Sequence, residues 1–286
     1  MSEQKVKIIA ECVCDLPKNW IKEHNVDIVY FSVEIDSGVF FDTSEITSEN
    51  IISYMQSGGV KALSSAPAPE SYKEAFERGL EEYEEVLLVS ISSGVSLGYK
   101  NAMQAFEMID EKKNRVHIFD SGHLSSGLGH LVIKAAEMAE SGHSAGEILA
   151  ALEVLKSKVS TSFIAENADY LYRNGKVSEK VKKICTTFNI HPVLTMKDGV
   201  LSLKSITRGN YRNACRRYIK KTLHSKNIVK NRAFITQAGC SAKMVEWIKG
   251  EVAKHCEFEN LIVTKASATV SSNCGPNTFG VLFISE

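Results

Sequence analysis

The polar and apolar positions of this chain change their period repeatedly, and each change marks an element. Lys5–Ala10 is a short apolar run of strand length. Asp15–Glu23 reads as a helix with Pro17 in its first turn, where a missing N–H costs least. Asp27–Ile35 reads as a second strand, and Thr47-Ser48-Glu49-Asn50 opens a short helix through Met55. Ser64–Pro69 is a rigid loop ahead of a helix over Glu70–Tyr83. Val86–Ile91, mostly β-branched or Leu, has the texture of a buried strand. Ser92–Gly98 turns into a helix with Tyr99, Ala102, Met103 and Phe106 on one face. A strand over Arg115–Phe119, a long helix over Ser125–Ser141 and a helix opened by the capping box Ser144-Ala145-Gly146-Glu147 follow. Strands separated by helices predict a parallel sheet covered on both faces.

The second half has another texture. Ser162–Ala165 reads as a strand, and Ala168–Arg173 and Ser178–Phe188 read as helices. Pro192–Met196 and Val200–Ser205 flank Lys197-Asp198-Gly199, a hairpin signal. A basic amphipathic helix covers Asn210–His224, a strand Ala233–Gln237 and a helix Ser241–His255. Strands over Leu261–Lys265 and Phe279–Ile284 flank the loop Ser271–Pro276. The expected architecture is therefore α/β. A parallel-sheet three-layer domain spans residues 1–160, and an α+β domain with a mixed or antiparallel sheet spans 161–286.

Composition narrows the function classes. The chain has 286 residues, 34 basic and 34 acidic, so no net field draws it to nucleic acid or an anionic membrane. No apolar run reaches membrane-spanning length, and the N-terminus lacks the shape of a signal peptide. Seven scattered cysteines fit free thiols in a reducing cytoplasm better than a disulfide framework. Cys12 and Cys14 form C-x-C, with no second pair at metal spacing. The first strand runs into Glu11-Cys12-Val13-Cys14 without glycine, and no Walker loop exists, so no nucleotide cofactor is expected.

Gly94-Val95-Ser96-Leu97-Gly98 matches the nucleophile elbow G-x-S-x-G, with Ser96 at its centre. A hydrolase also needs an acid, for which Asp120 and Asp169 are candidates, and a base from His191, His224 or His255. No histidine sits in a loop that obviously closes on Ser96, and Ser92 and Ser93 separate the first glycine from the strand. The competing reading is anion binding, because a strand–turn–helix leaves backbone N–H groups unpaired at the turn. The plain alternative is a serine that caps the helix. Other hydroxyl-rich loops at Ser64-Ser65, Asp120-Ser121, Ser125-Ser126 and Ser271-Ser272-Asn273 favour a small anionic head group at the carboxyl ends of the strands. The basic helix (Arg212, Arg216, Arg217, Lys220, Lys221) reads as a solvated face, with a protein-partner surface as the other option.

These loops, in this order, resemble the DegV family of bacterial fatty-acid-binding proteins over nearly the whole chain. The family's D-S-T-x-D-L-P is matched by Glu11–Pro17, and its T-S-Q-P-S by Ser64–Ala68. Its I-S-S-x-L-S-G-T-Y is matched by Ile91–Tyr99, and its V-x-D-S and G-L-G by Phe119-Asp120-Ser121 and Gly127–Gly129. Its G-G-R-[IV]-S is similar to Asn174–Ser178, its K-P-[IV]-L…D-G hairpin to His191–Leu194 with Asp198-Gly199, and its following arginine to Arg208. Its late H-x-G-P-G is similar to Asn273–Asn277. Ser64 stands for Thr, Ala66 for Gln, Leu97-Gly98 for Gly-Thr and Asn273 for His. The resemblance implies a non-catalytic protein that encloses a long-chain fatty acid. Its carboxylate would be held at Ser64, Ser93, Gly94 and Asn273, and Cys12, Ser65, Ser92, Ser96 and Ser121 would add to the pocket. It further implies handover to a fatty acid kinase, with Arg208, Arg216 and Arg217 as the surface that meets this partner.

Overall fold

The protein is described from a computed structural model covering residues 4–59, 62–109, 112–175, 178–224 and 227–286. Lys176 and Val177 of the Asn174–Ser178 motif lie outside the described residues.

In chain order the first half comprises β1 (Val6–Glu11), α1 (Lys18–Glu23), β2 (Asp27–Val29), β3 (Ser32–Ile35), β4 (Gly38–Phe41), α2 (Ser48–Gln56), β5 (Leu63–Ser65), α3 (Pro69–Glu82), β6 (Glu85–Ser90), α4 (Gly98–Glu107), β7 (Val116–Asp120), α5 (Ser125–Glu140) and α6 (Ala145–Lys156). The second half comprises β8 (Val159–Ser160), β9 (Ser162–Ile164), α7 (Asp169–Arg173), α8 (Glu179–Thr187), β10 (Ile190–Lys197), β11 (Val200–Arg208), α9 (Tyr211–His224), β12 (Ile228–Ala238), α10 (Ala242–Ala253), β13 (Leu261–Lys265), α11 (Ala268–Cys274) and β14 (Thr278–Ser285).

β2-β1-β6-β7 form the expected parallel sheet. Its strands are buried on both faces, as parallel strands must be. Ile9, Val86 and Leu88 pack on α3 and α4 through Tyr72, Phe76 and Ala102. Ile8, Ala10, Leu87 and Val89 point the other way, onto α5 and α6. The second half folds around a seven-stranded mixed sheet, β11-β10-β9-β14-β12-β13 with β8 beside β14. Its outer face packs on α9 and α10 through Ile235, Val281, Tyr218 and Ile248.

Two features differ from the expectation. The stretch Asp27–Ile35 is not one strand. It breaks at Tyr30-Phe31, and β3 leaves the parallel sheet to form a separate antiparallel sheet β4-β3-β5. That sheet makes a short strand of part of the expected Ser64–Pro69 loop. The Ser271–Pro276 region is also mostly helical, as α11.

The long helix α5 does more than cover one sheet. It contacts β1 and β6 on one side and β12, β14 and β8 on the other. Phe234 and Leu282 of the mixed sheet share one core cluster with Ile8 and Leu87 of the parallel sheet. The layers therefore run α, parallel sheet, α, mixed sheet, α, with the middle helices common to both halves. An apolar surface on nearly every side explains why α5 is buried nearly all round. Two glycines admit the close approach: a Cβ at Gly127 would clash with Thr161, and one at Gly129 with the Cys14 carbonyl.

His130 sits in the middle of this layer, edge-on to Phe234, with Nε2 donating to the Leu282 carbonyl and Nδ1 buried with no hydrogen-bond partner among the described residues. Burial pushes its pKa down to about 4. The unfolded chain takes up a proton near 6.5 that the fold refuses until about 4, so stability falls as the pH drops through that window. His130→Met should flatten the dependence of Tm on pH between 6.5 and 4, and an unchanged slope would remove His130 from the account.

Candidate functional site

The carboxyl ends of β1, β6 and β7 face the mixed sheet across a cavity of about 800 Å³. Its walls are mainly apolar, with Val13, Phe31, Ile91, Val95, Leu124, Phe163, Leu171 and Leu282 among them. Ser64, Ser65, Ser93, Gly94, Ser96 and Asn273 all line it, so chain segments up to about two hundred residues apart converge as the hydroxyl-rich loops suggested. Cys12, Ser92 and Ser121 do not line it and lie one layer behind. Cys12 Sγ accepts from Phe31 N (3.2 Å), Ser92 Oγ donates to the Gly199 carbonyl (2.5 Å), and Ser121 Oγ donates to the His123 carbonyl (3.1 Å).

The turn after β6 is closed on itself. Val95 N and Ser96 N donate to the Ser92 carbonyl, Gly94 N donates to Ser92 Oγ, and Ser93 N to Asp120. These N–H groups are already satisfied, so this part of the turn is not the open anion cradle that strand–turn–helix geometry alone implies. Gly94 serves close approach instead, since a Cβ there would clash with the Gly199 carbonyl at the tip of the β10–β11 hairpin. The Ser93 hydroxyl donates to Asp120 Oδ2 at 2.5 Å, so the serine expected to hold a ligand carboxylate is engaged by a carboxylate of the chain itself. Asp120 Oδ1 also accepts from Gly122 N (2.9 Å).

Ser96 behaves as a local cap, its Oγ accepting from Gly98 N (3.1 Å). Among the described residues no histidine hydrogen-bonds to it. His191 sits between the carbonyls of Glu166 and Gly209, and His123 between Thr161 Oγ1 and the Lys156 carbonyl. The geometry of a nucleophile with its base is therefore missing around the G-x-S-x-G match. No group of three or more His, Cys, Asp or Glu suited to a metal ion occurs among the described residues.

Asn273 and Ser64 form the clearest polar pair. Asn273 Nδ2 donates to Ser64 Oγ (3.1 Å) and to the Thr269 carbonyl (2.8 Å), so both its N–H groups are in use. Asn273 and Ser64 thus meet the cavity as a hydrogen-bonded pair, with Ser64 Oγ as the acceptor. The helix that carries Asn273 is held by two buried carboxylates. Asp42 accepts from Ala268 N (2.7 Å) and Thr269 N (2.8 Å), and Asp15 accepts from Ser267 N (2.8 Å) and Ser125 Oγ (2.5 Å). Burial raises both pKa values, that of Asp15 to about 7. A third buried carboxylate, Glu11, fixes the start of the β6 turn by accepting from Ile91 N, Ser90 Oγ and Tyr72 Oη, and burial raises it too.

Arg173 escaped the sequence reading. It is the one ionisable cation among the residues lining the cavity, is exposed, lies beside the Tyr170 ring (5.5 Å), and has no acidic partner among the described residues. Asn174 beside it donates to the Ser272 carbonyl (3.0 Å), which brings the end of α7 against the end of α11 where Asn273 sits. A lone arginine at the end of a five-residue helix carries no periodic signal, and only the packing of α7 on α11 reveals it. Of the three arginines on the expected partner surface, Arg208 and Arg217 line a second groove, whereas Arg216 lies over Trp247 and pairs with Glu251.

No described helix is long and apolar enough to cross a membrane. A DegV domain-containing protein of Caldanaerobacter subterraneus is 27% identical over 280 residues, 98% of this chain and 99% of that relative. Among solved structures, a DegV family protein of Thermus thermophilus, described as fatty-acid-binding, is 26% identical over 99% of this chain and all of the other, with a TM-score of 0.86. A fatty acid kinase B3 protein of Streptococcus pneumoniae loaded with linoleic acid shares the fold at 19% identity and a TM-score of 0.84, over 99% of this chain and all of that one. The family model described as "Uncharacterised protein, DegV family" matches residues 5–286, and the chain belongs to the DegV family.

Proposed function

We propose that this protein binds a long-chain fatty acid in the 800 Å³ cavity and performs no chemistry on it. The observation that carries the reading is the lining itself: apolar walls, neutral hydrogen-bonding groups and one guanidinium. The tail supplies most of the affinity, since about fourteen buried methylenes at ~0.8 kcal/mol each are worth roughly 11 kcal/mol before the costs of binding. The carboxylate is assigned to the Ser64 hydroxyl, oriented by Asn273, and to Arg173. Ser93, held by Asp120, keeps the turn in place. The fatty-acid-binding relative from Thermus supports the same ligand class. Presentation of the bound acid to a fatty acid kinase, a cytoplasmic location, and a division into domains at about residue 160 belong to the same proposal.

The test is titration of delipidated protein with palmitate and with methyl palmitate. Palmitate should bind saturably and more tightly than its ester. Ser64→Ala and Arg173→Gln should each weaken palmitate several-fold, the range expected of a charged contact near water, and leave the ester unchanged. No saturable binding of palmitate would end the reading. Equal loss for acid and ester would remove the two residues from the head-group site.

A further inference from the structure

Gly98 opens α4 and is buried, and the space where its side chain would stand is taken by the carboxylate of Glu11. A Cβ at Gly98 would lie 2.6 Å from Glu11 Oε1, 3.0 Å from Tyr72 Oη and 3.2 Å from Ile91 Cγ2. Carbon seldom comes closer than about 3.3 Å to an oxygen, so a methyl group there and the Glu11 carboxylate exclude each other. Neither Glu11 nor Tyr72 has solvent to move into, since both are fully buried. The carboxylate ties three segments to the end of β1. Ile91 N donates to Oε2 (2.5 Å), while Ser90 Oγ (3.0 Å) and Tyr72 Oη (2.6 Å) donate to Oε1. Ser90 and Ile91 lead into the turn that carries Ser93 and Ser96, and Tyr72 stands near the start of α3, just past the loop that carries Ser64. Farther along α4, Asn101 Nδ2 donates to the Pro67 carbonyl of that same loop (2.7 Å).

From this geometry we propose that Glu11 is a positioning residue for the acyl cavity and that Gly98 is needed at the start of α4 to admit it. Glu11 itself does not line the cavity. It acts through two stretches that do, Leu63–Ala66 and Ser93–Leu97, whose spacing one carboxylate sets from behind. The inference rests on the fatty-acid reading for the identity of the ligand. A buried carboxylate is tolerated because donors surround it, and a buried N–H that loses its acceptor is as costly as a lost hydrogen bond. Pushing Glu11 aside therefore strands Ile91 N at the root of the turn. Aspartate at position 11 withdraws the carboxylate by one methylene and vacates the space beside Gly98. The two positions are thus coupled, and the effect of a methyl group at position 98 depends on the side chain at position 11.

The test is amide hydrogen exchange over Ile91–Leu97 in ligand-free protein, with palmitate affinity measured on the same samples. Gly98→Ala should speed exchange of the turn at least tenfold and weaken palmitate at least fivefold. Added to Glu11→Asp, the same Gly98→Ala change should alter both quantities by less than twofold. If Gly98→Ala does not fold on its own, folding of Glu11→Asp/Gly98→Ala gives the same contrast. Tyr72→Phe, which keeps the ring and removes one donor, should also speed exchange of the turn. A Gly98→Ala effect of equal size in both backgrounds, or none in either, would overturn the coupling. Full palmitate affinity in a Gly98→Ala variant whose turn has loosened would overturn the positioning role. Exchange is read without ligand, so failure here is distinct from failure of wild-type protein to bind palmitate.

Discussion

Ala66→Trp should abolish long-chain fatty-acid binding, by a factor of a hundred or more, while the protein still folds. Ala66 is half-buried, lines the cavity, and lies in the turn between β5 and α3, outside any helix or strand. An indole there displaces ligand volume without breaking a ladder or a helical hydrogen bond. Losing the space for about seven methylenes already removes roughly 5–6 kcal/mol of transfer free energy, more than three orders of magnitude in affinity. Displacement of a fluorescent fatty acid reads the loss, and a thermal melt reports folding. Full affinity in the folded variant would mean that the acyl chain lies elsewhere.

The second large effect is on stability. Asp15→Asn should raise Tm at pH 8 by several degrees, with the gain shrinking steadily between pH 7 and pH 4. Burial lifts the Asp15 pKa from 3.8 to about 7, so the fold holds a proton that the unfolded chain has released. Stability therefore falls as the pH rises from about 4 to 7, by an amount of order 4 kcal/mol, and stays low above that. Asparagine keeps the shape and removes the titration. Its carbonyl can accept from Ser267 N, its amide can donate to Ser125 Oγ, and it tolerates the positive φ of 53° at this position. Equal Tm differences at pH 8 and pH 4.5 would show that Asp15 does not titrate in this range.

The parallel sheet was legible in the chain because each of its strands is an unbroken apolar run, and the hairpin because Asp198-Gly199 supplies the two positive φ values its turn needs. The small sheet β4-β3-β5 was not, since its strands have only three or four residues and the break at Tyr30-Phe31 carries no glycine or proline. The helix α11 was hidden for another reason. Ala268–Cys274 is rich in Ser, Thr, Val and Asn, all weak helix formers, and it is helical because Ser267 caps it and Asp42 and Asp15, more than two hundred residues away, hold its first turn.

The site followed the same rule. Clustered hydroxyls announced where the loops meet, so Ser64, Ser93 and Asn273 were found in the lining. Which partner each hydroxyl takes was not written in any motif. The Ser93–Asp120 bond, the self-closed turn and the commitment of Asn273 to Ser64 all depend on packing between distant segments.

The helix layer shared by the two sheets also bears on how such a molecule comes apart. Sheet pairing changes at about residue 160, yet neither side of that line owns a complete interior. Residues 1–160 alone would bare the flank of α5 that Phe234 and Leu282 cover, and residues 161–286 alone would bare those two side chains in turn. A helix with two clients couples them thermodynamically: loosening either sheet removes support from the other. The shared interior predicts a single cooperative unfolding transition, and the cavity walled by both halves is expected to persist only while they hold together.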